Sequence, residues 1–248
     1  MEDNKQTPPA AAPRPAEGKL YLIPSFLGED NKSIIPVQVL ETVNMLDEFI
    51  VENAKTARRY LRAIGFTKNF DTDVVINEID KHGENQVPKL MAGISKGKNI
   101  GIISEAGNPC IADPGYEMVK YAHSRNVQVV PLVGPSSILL ALIASGMNGQ
   151  QFAFNGYLPI PTADRIKKIK QLEEIARRYN VTQIFMETPF RNDSLLKDTL
   201  NTLQADTRLC IACDLTLPTE FIATKKAGDW KKQIPALHKR YSIFVIGA

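Results

Sequence analysis

Cysteine, histidine and tryptophan are scarce, with three, three and one copies in 248 residues. Cys110, Cys210 and Cys213 are too few to form a disulfide framework and suit a reducing compartment. Cys210 and Cys213 have CxxC spacing but sit in an apolar run, without a second pair or clustered histidine, and read as strand residues. Histidine occurs only at His82, His123 and His238, so no HExxH or other multi-histidine metal site can be assembled. No apolar stretch approaches the roughly 18 residues of a membrane helix. Met1-Glu2-Asp3-Asn4 also opens acidic, unlike a signal peptide. The expectation is a soluble cytoplasmic protein without a metal.

Nucleotide and hydrolase signatures are missing too. No GxGxxG follows any apolar run, which argues against a dinucleotide site of the Rossmann kind, and no GxSxG elbow exists. Gly93-Ile94-Ser95-Lys96-Gly97-Lys98-Asn99 looks like a phosphate loop. It is one residue short, lacks the closing Ser or Thr, and precedes a strand where the motif should follow one.

The composition that is present is that of a globular protein: 44% hydrophobic and 23% charged residues exclude a disordered or collagen-like chain. Net charge is only +3, but it is unevenly spread, with −2 over residues 1–150 and +5 over 151–248. The excess gathers in Arg165, Lys167, Lys168, Lys170, Arg177 and Arg178, and again in Lys225, Lys226, Lys231, Lys232, Lys239 and Arg240. Such runs are either solvated helix faces or a surface for an anionic partner.

Residues 1–18 hold four of the 16 prolines around an alanine run and predict a disordered tail. Beyond it, β-branched runs at Leu20–Ile23, Phe49–Val51, Val74–Ile76, Ile100–Ile103 and Val127–Leu132 alternate with helical patterns at 36–45, 54–64, 86–96 and 115–124. This alternation predicts a mostly parallel sheet with helices on its faces, over 19–133. Gly134-Pro135-Ser136-Ser137 then opens an apolar helix that Gly146 ends. The remainder, 134–248, reads as strands at 152–157, 182–187, 207–213, 220–224 and 242–246 with helices at 164–178 and 192–203. Adjacent late strands predict a second α/β domain with a mixed sheet.

The chemistry concentrates in loops. Ser104-Glu105-Ala106-Gly107-Asn108-Pro109-Cys110-Ile111-Ala112-Asp113-Pro114-Gly115 follows a buried strand, and Gly134–Ser137 follows the next. Glycine and proline at the carboxyl ends of parallel strands let the backbone approach a ligand closely, and two such loops would form one crevice. Ser136 and Ser137 could cap the helix or offer donors to a ligand.

Ser104–Gly115 resembles the S-D-A-G-T-P-x-I-x-D-P-G signature of the tetrapyrrole methylase superfamily, in its branch of small-subunit ribosomal RNA ribose 2′-O-methyltransferases. Val51–Arg59 is similar to that branch's A-E-D-T-R-x-T-R-R segment, and His82-Gly83-Glu84 to H-N-E. Val130–Ser136 resembles V-P-L-P-G-P, Gly156–Pro159 G-F-L-P, and Phe185–Arg191 F-Y-E-S-P-H-R. The resemblance implies S-adenosylmethionine in a cleft between two α/β domains, release of S-adenosylhomocysteine, a homodimer, no metal, and ribosomal RNA or the small ribosomal subunit as partner.

It also implies site residues. Pro24, Ser104, Gly107, Asn108, Pro109, Asp113, Pro135, Ser136, Ser137, Leu158, Glu187 and Pro189 fall at cofactor positions. Glu52, His82 and Glu84 are candidates for a base, because a ribose hydroxyl is a poor nucleophile at neutral pH. Glu84 could equally be a helix-capping carboxylate. Lys55, Arg58, Arg59 and Arg191 would meet RNA.

Several positions depart from the pattern. The opening P-I-G-N-L-G-D loop is rebuilt as Pro24–Pro36, Asp becomes Asn53, Arg becomes Lys55, Thr becomes Asn108, and E-L-T-K becomes Asp214-Leu215-Thr216-Leu217. Lysine at 55 lacks the bidentate fork of arginine. The sequence also stops soon after its closing strand, without the longer C-terminal extension. Two alternatives therefore stand beside RNA methylation: a methylase of a tetrapyrrole-like small molecule, or a cofactor- or RNA-binding protein that has lost catalysis.

Overall fold

The computed structural model describes residues 18–28, 31–80 and 86–247. The proline-rich tail predicted for 1–18 therefore lies, except for Gly18, outside the described residues, as do His82 and Glu84.

The first half alternates strand and helix in the order β1 (Leu20–Ile23), α1 (Val37–Met45), β2 (Glu48–Val51), α2 (Ala54–Ile64), β3 (Val75–Glu78), α3 (Val87–Leu90), β4 (Ile100–Ile103), α4 (Tyr116–Ser124) and β5 (Val129–Pro131). All pairings in its five-stranded sheet are parallel, and the order is β3-β2-β4-β1-β5. β1, β2 and β4 occupy the middle and are covered on both sides, which is why their sequences are continuous apolar runs. One apolar layer gathers Val39, Val43 and Leu61 from α1 and α2; the other gathers Met91, Met118 and Ala122.

Local chemistry explains the helix ends. The Asn53 side chain accepts from the Thr56 amide at 3.0 Å, so asparagine fills the N-cap of α2. Helix α5 (Ser137–Ser145) starts on a Ser136 cap and ends at Gly146 in the left-handed region. The helix expected over 86–96 instead breaks into α3 and a 3-10 turn at Ile94–Lys96. Gly93 lies within that stretch and Gly97 ends it in the left-handed region, and glycine costs helix about 1 kcal/mol per residue. The strand expected over Val127–Leu132 contracts to three residues. It ends at Pro131, which has no N–H for a ladder.

The second half follows as β6 (Phe152–Tyr157), α6 (Thr162–Tyr179), β7 (Thr182–Met186), α7 (Asn192–Thr202), β8 (Arg208–Cys213), β9 (Phe221–Lys226), α8 (Ala227–Trp230) and β10 (Ser242–Gly247). Its sheet is mixed, in the order β6-β7-β10-β8-β9, with β6 and β7 parallel and the other neighbours antiparallel. Cys210 and Cys213 are buried on β8 with free thiols, the strand role their surroundings suggested. Phe185 stacks on Phe244 at 5.6 Å on one face of this sheet. The other face packs α5, through Ala141 and Leu142, together with Leu27 from the loop after β1. That loop thereby ties the two sheets together.

Candidate active site between the two sheets

Four loops at the carboxyl ends of the parallel strands converge on one cleft. Leu27 follows β1, Glu52 follows β2, Ser104–Asp113 follows β4 and Ser136 follows β5, and all of them contribute to its wall. The second sheet supplies Phe154, Tyr157, Met186, Glu187, Leu215 and Tyr241. The cavity holds about 330 Å³, at the lower end of the range for cofactor sites.

The loop after β4 is fixed by backbone geometry. Gly107, Cys110 and Ala112 all have positive φ, at 68°, 72° and 62°. The two non-glycine residues sit in a conformation that costs about 1–3 kcal/mol each and must be held by their surroundings. The Asp113 carboxylate does part of this, accepting from the Cys110 amide at 2.9 Å and the Gly115 amide at 2.7 Å. Burial, with the charge of Glu52 in addition, pushes the Asp113 carboxyl above its ordinary range. Burial and the charge of Asp113 also raise the Cys110 thiol to about 11, so it stays protonated at neutral pH.

The rebuilt first loop holds the other side of this turn. Ser25 donates its amide to the Gly107 carbonyl at 2.8 Å and its hydroxyl to the Ser104 carbonyl at 3.0 Å, and Gly107 donates back to Phe26 at 3.2 Å. The Tyr60 hydroxyl donates to the Pro24 carbonyl, and burial keeps that phenol raised and protonated. Gly134 lies so close that a Cβ there would fall 2.1 Å from the Pro24 Cβ. The serine that replaces a family residue therefore braces the signature turn.

Of the residues singled out in the sequence, Glu52, Ser104, Gly107, Asn108, Asp113, Ser136, Ser137, Glu187 and Pro189 come together in the cleft wall. Pro24, Pro109 and Pro135 are not part of that wall; Pro24 supports it from behind, against Gly134. Leu158 is buried in the core of the second sheet, and it is the preceding residue, Tyr157, that faces the cleft. Neighbours in extended chain point to opposite faces, so a one-residue offset separates wall from core. Lys55, Arg58 and Arg59 lie on the first turns of α2. Arg58 lies 3.8 Å from Asp71, while Arg191 is paired with the buried Glu187 at 2.6 Å.

Sequence reasoning passed over Phe154, Tyr157, Met186, Leu215 and Tyr241. Tyr157, Met186 and Leu215 lie inside the segments matched to the family pattern, which was signal enough to find them, whereas Phe154 and Tyr241 had only their place in or beside apolar runs of the second half. Both segments that depart from the superfamily pattern also meet here. Asn31 donates to the Thr216 carbonyl at 3.2 Å, Leu217 covers Gly28, and Leu27 and Leu215 share one apolar cluster.

Residues 19–230 match the sequence profile of the tetrapyrrole (corrin/porphyrin) methylases. The chain belongs to that family. Among its relatives, "Ribosomal RNA small subunit methyltransferase I" of Vibrio cholerae is 33% identical over 90% of this chain and 71% of its own length. The protein of that name from Buchnera aphidicola is 30% identical over 92% and 78% respectively. Two solved structures share the fold: the methyltransferase CobJ, with TM-score 0.62 and 14% identity over 93% of this chain and 94% of that one, and the cobalt precorrin-4 methyltransferase CbiF, with TM-score 0.60 and 17% identity over 96% and 98%.

Methylases of this family use S-adenosylmethionine, and the donor set suits it. That molecule carries an ammonium and a sulfonium cation, ribose hydroxyls and a flat adenine. The wall sets the carboxylates of Glu52 and Asp113 and the hydroxyls of Ser104 and Ser136 among the apolar Ile111, Ile138, Met186 and Ala212. The left-handed Gly107 keeps the turn free of a side chain where a ligand would approach.

Proposed function

We propose that this methylase transfers a methyl group from S-adenosylmethionine to a ribose 2′-hydroxyl of small-subunit ribosomal RNA, releasing S-adenosylhomocysteine. The observation that carries the reading is the carboxyl-end cleft, whose signature turn is built on Asp113 and Ser25, in a chain whose relatives of 30% identity and above bear a ribosomal RNA methyltransferase name.

The bound cofactor supplies an electrophilic methyl group. The chain's own residues orient and shield. Gly107, Asn108 and Ser136 hold the cofactor wall, with Glu187 and Pro189 opposite, and the apolar side chains keep water from the reacting centre. Of the candidate bases Glu52, His82 and Glu84, we take Glu52 as the acceptor of the hydroxyl proton, a reading supported by its position in the same wall at the end of β2. Lys55, Arg58 and Arg59 on α2 would meet the phosphates, and Arg191, held by Glu187, would add positive charge on the other side.

We take 19–133 and 134–248 as the two domains; the packing of α5 with β8 and β10 supports a division ahead of that helix. We further propose a cytoplasmic homodimer, supported by the exposed apolar residues Val133, Leu139 and Ile143 around α5. No helix among the described residues is long and apolar enough to cross a membrane.

The test is calorimetric titration with S-adenosylmethionine and S-adenosylhomocysteine, followed by a methyl-transfer assay on small ribosomal subunits from a methylation-deficient strain. We expect one site per chain and a 2′-O-methylated product. Binding without any product on RNA would favour a chain that has lost catalysis. Product on a tetrapyrrole-like acceptor, insensitive to salt, would replace RNA with a small molecule.

A further inference from the structure

The rim of the cleft on the side of the second sheet exposes aromatic side chains next to cations. Phe190 is 68% exposed and Tyr241 56%. The His238 ring meets Phe190 edge-on, with centroids 6.0 Å apart. Single exposed aromatics are ordinary, but this group sits on a segment built with care. Lys239 adopts φ 62°, a left-handed conformation unfavourable for a side chain with a Cβ. Four hydrogen bonds hold the segment: Lys239 N–H to the Pro189 carbonyl at 3.0 Å, Leu237 N–H to Asp193 at 2.8 Å, Asn192 to the Arg240 carbonyl at 2.6 Å, and Tyr241 N–H to Asp214 at 3.1 Å.

Charge is arranged selectively on this rim. The Arg191 and Arg240 guanidiniums are paired with Glu187 and Asp214. Lys239 is exposed and takes part in no ion pair among the described residues. Tyr241 and Pro189 also line the cleft itself, so the platform runs continuously into the cofactor wall.

We propose that Phe190 and Tyr241 form a stacking platform for unpaired bases of a single-stranded RNA substrate, with Lys239 on the adjoining phosphate. The inference rests on the RNA reading above and extends it: the acceptor nucleotide enters from an unpaired, splayed strand. Every base has a π-face that an aromatic side chain can take up, whereas bases in a duplex are stacked on one another and closed to it.

The test measures fluorescence anisotropy of a labelled 12-nucleotide single-stranded RNA, and of the same sequence as a perfect duplex, across a salt series. Single strand should bind in preference. Phe190→Ala should weaken it about 5- to 100-fold, and Phe190→Tyr should restore most of the loss. Lys239→Gln should lower the slope of log affinity against log salt by about 0.7, the value for one phosphate of a single strand. Because Phe190 and Lys239 are exposed and outside the cofactor wall, S-adenosylhomocysteine affinity should not change in either variant, which also verifies folding. Wild-type-like single-strand binding by Phe190→Ala, or equal binding of the duplex, would overturn the platform alone. A wild-type chain that takes S-adenosylhomocysteine but neither RNA would also overturn the platform, and the RNA reading falls with it only if small ribosomal subunits yield no methylated product.

Discussion

At the scale of single residues, close backbone approach sets what the cleft tolerates. Gly134→Ala would drive a Cβ into Pro24 at 2.1 Å, a contact that neither ring nor backbone can yield cheaply. We expect a stability loss of about 1–3 kcal/mol in denaturant melts and weaker cofactor binding, because the loops after β1 and β5 must separate. Asp113 makes a second, pH-dependent prediction. Its folded-state value is raised above 3.8, so the protonated form is favoured in the native protein. The stability it contributes is complete below that value and lost as pH rises through the folded one. Relative to Asp113→Asn, the wild type should therefore lose ground as pH rises from the ordinary aspartate range through the raised folded value, read as the difference between paired urea melts. A pH-independent difference would show that Asp113 titrates in the folded protein as it does in the unfolded chain.

At the scale of elements, polar staples set how helices join one another. Arg165, on the first turn of α6, pairs with Asp198 on α7 and donates to the carbonyls of Pro159 at 3.3 Å and Ile160 at 2.6 Å. Both partners of the pair are largely buried. Arg165→Leu leaves the Asp198 carboxylate and two carbonyls without their donor. We expect a loss of about 3 kcal/mol by chemical denaturation, with S-adenosylhomocysteine still bound under native conditions. The sequence presents Arg165 as one cation in a basic run; packing of α6 on α7 singles it out from Lys167, Lys168 and Lys170.

At the scale of the whole molecule, the loop after β1 joins the halves. Leu27 is buried in the apolar cluster of the second sheet while Ser25 braces the signature turn of the first. Trp230, the single tryptophan, is buried in the second half with its indole N–H on the Leu209 carbonyl at 2.9 Å, and so reports on that half alone. With the joint intact, the Trp230 fluorescence and far-ultraviolet dichroism transitions should coincide. Leu27→Ala should cost about 2–4 kcal/mol and pull the two transitions apart. Coincident transitions in that variant would place the coupling elsewhere.

Much of this arrangement was legible in the sequence. Strand runs such as Leu20–Ile23 and Ile100–Ile103 are apolar throughout because both sheet faces are covered, and Asn53, Ser136 and Gly146 mark helix ends by local chemistry. The turn from Ser104 to Gly115 announced the cleft for the same reason: its glycine and aspartate serve the local backbone. What only the tertiary structure decided is long-range. The pairing of Asn31 with Thr216 and the choice of Tyr157 over Leu158 for the wall depend on how two sheets meet, and the gathering of Phe190, Lys239 and Tyr241 on one rim depends on the pairing of β7 with β10. Turn and cap preferences arise within a few residues and leave a mark in the chain, whereas a contact across 185 positions, like that of Asn31 with Thr216, leaves none in a single sequence.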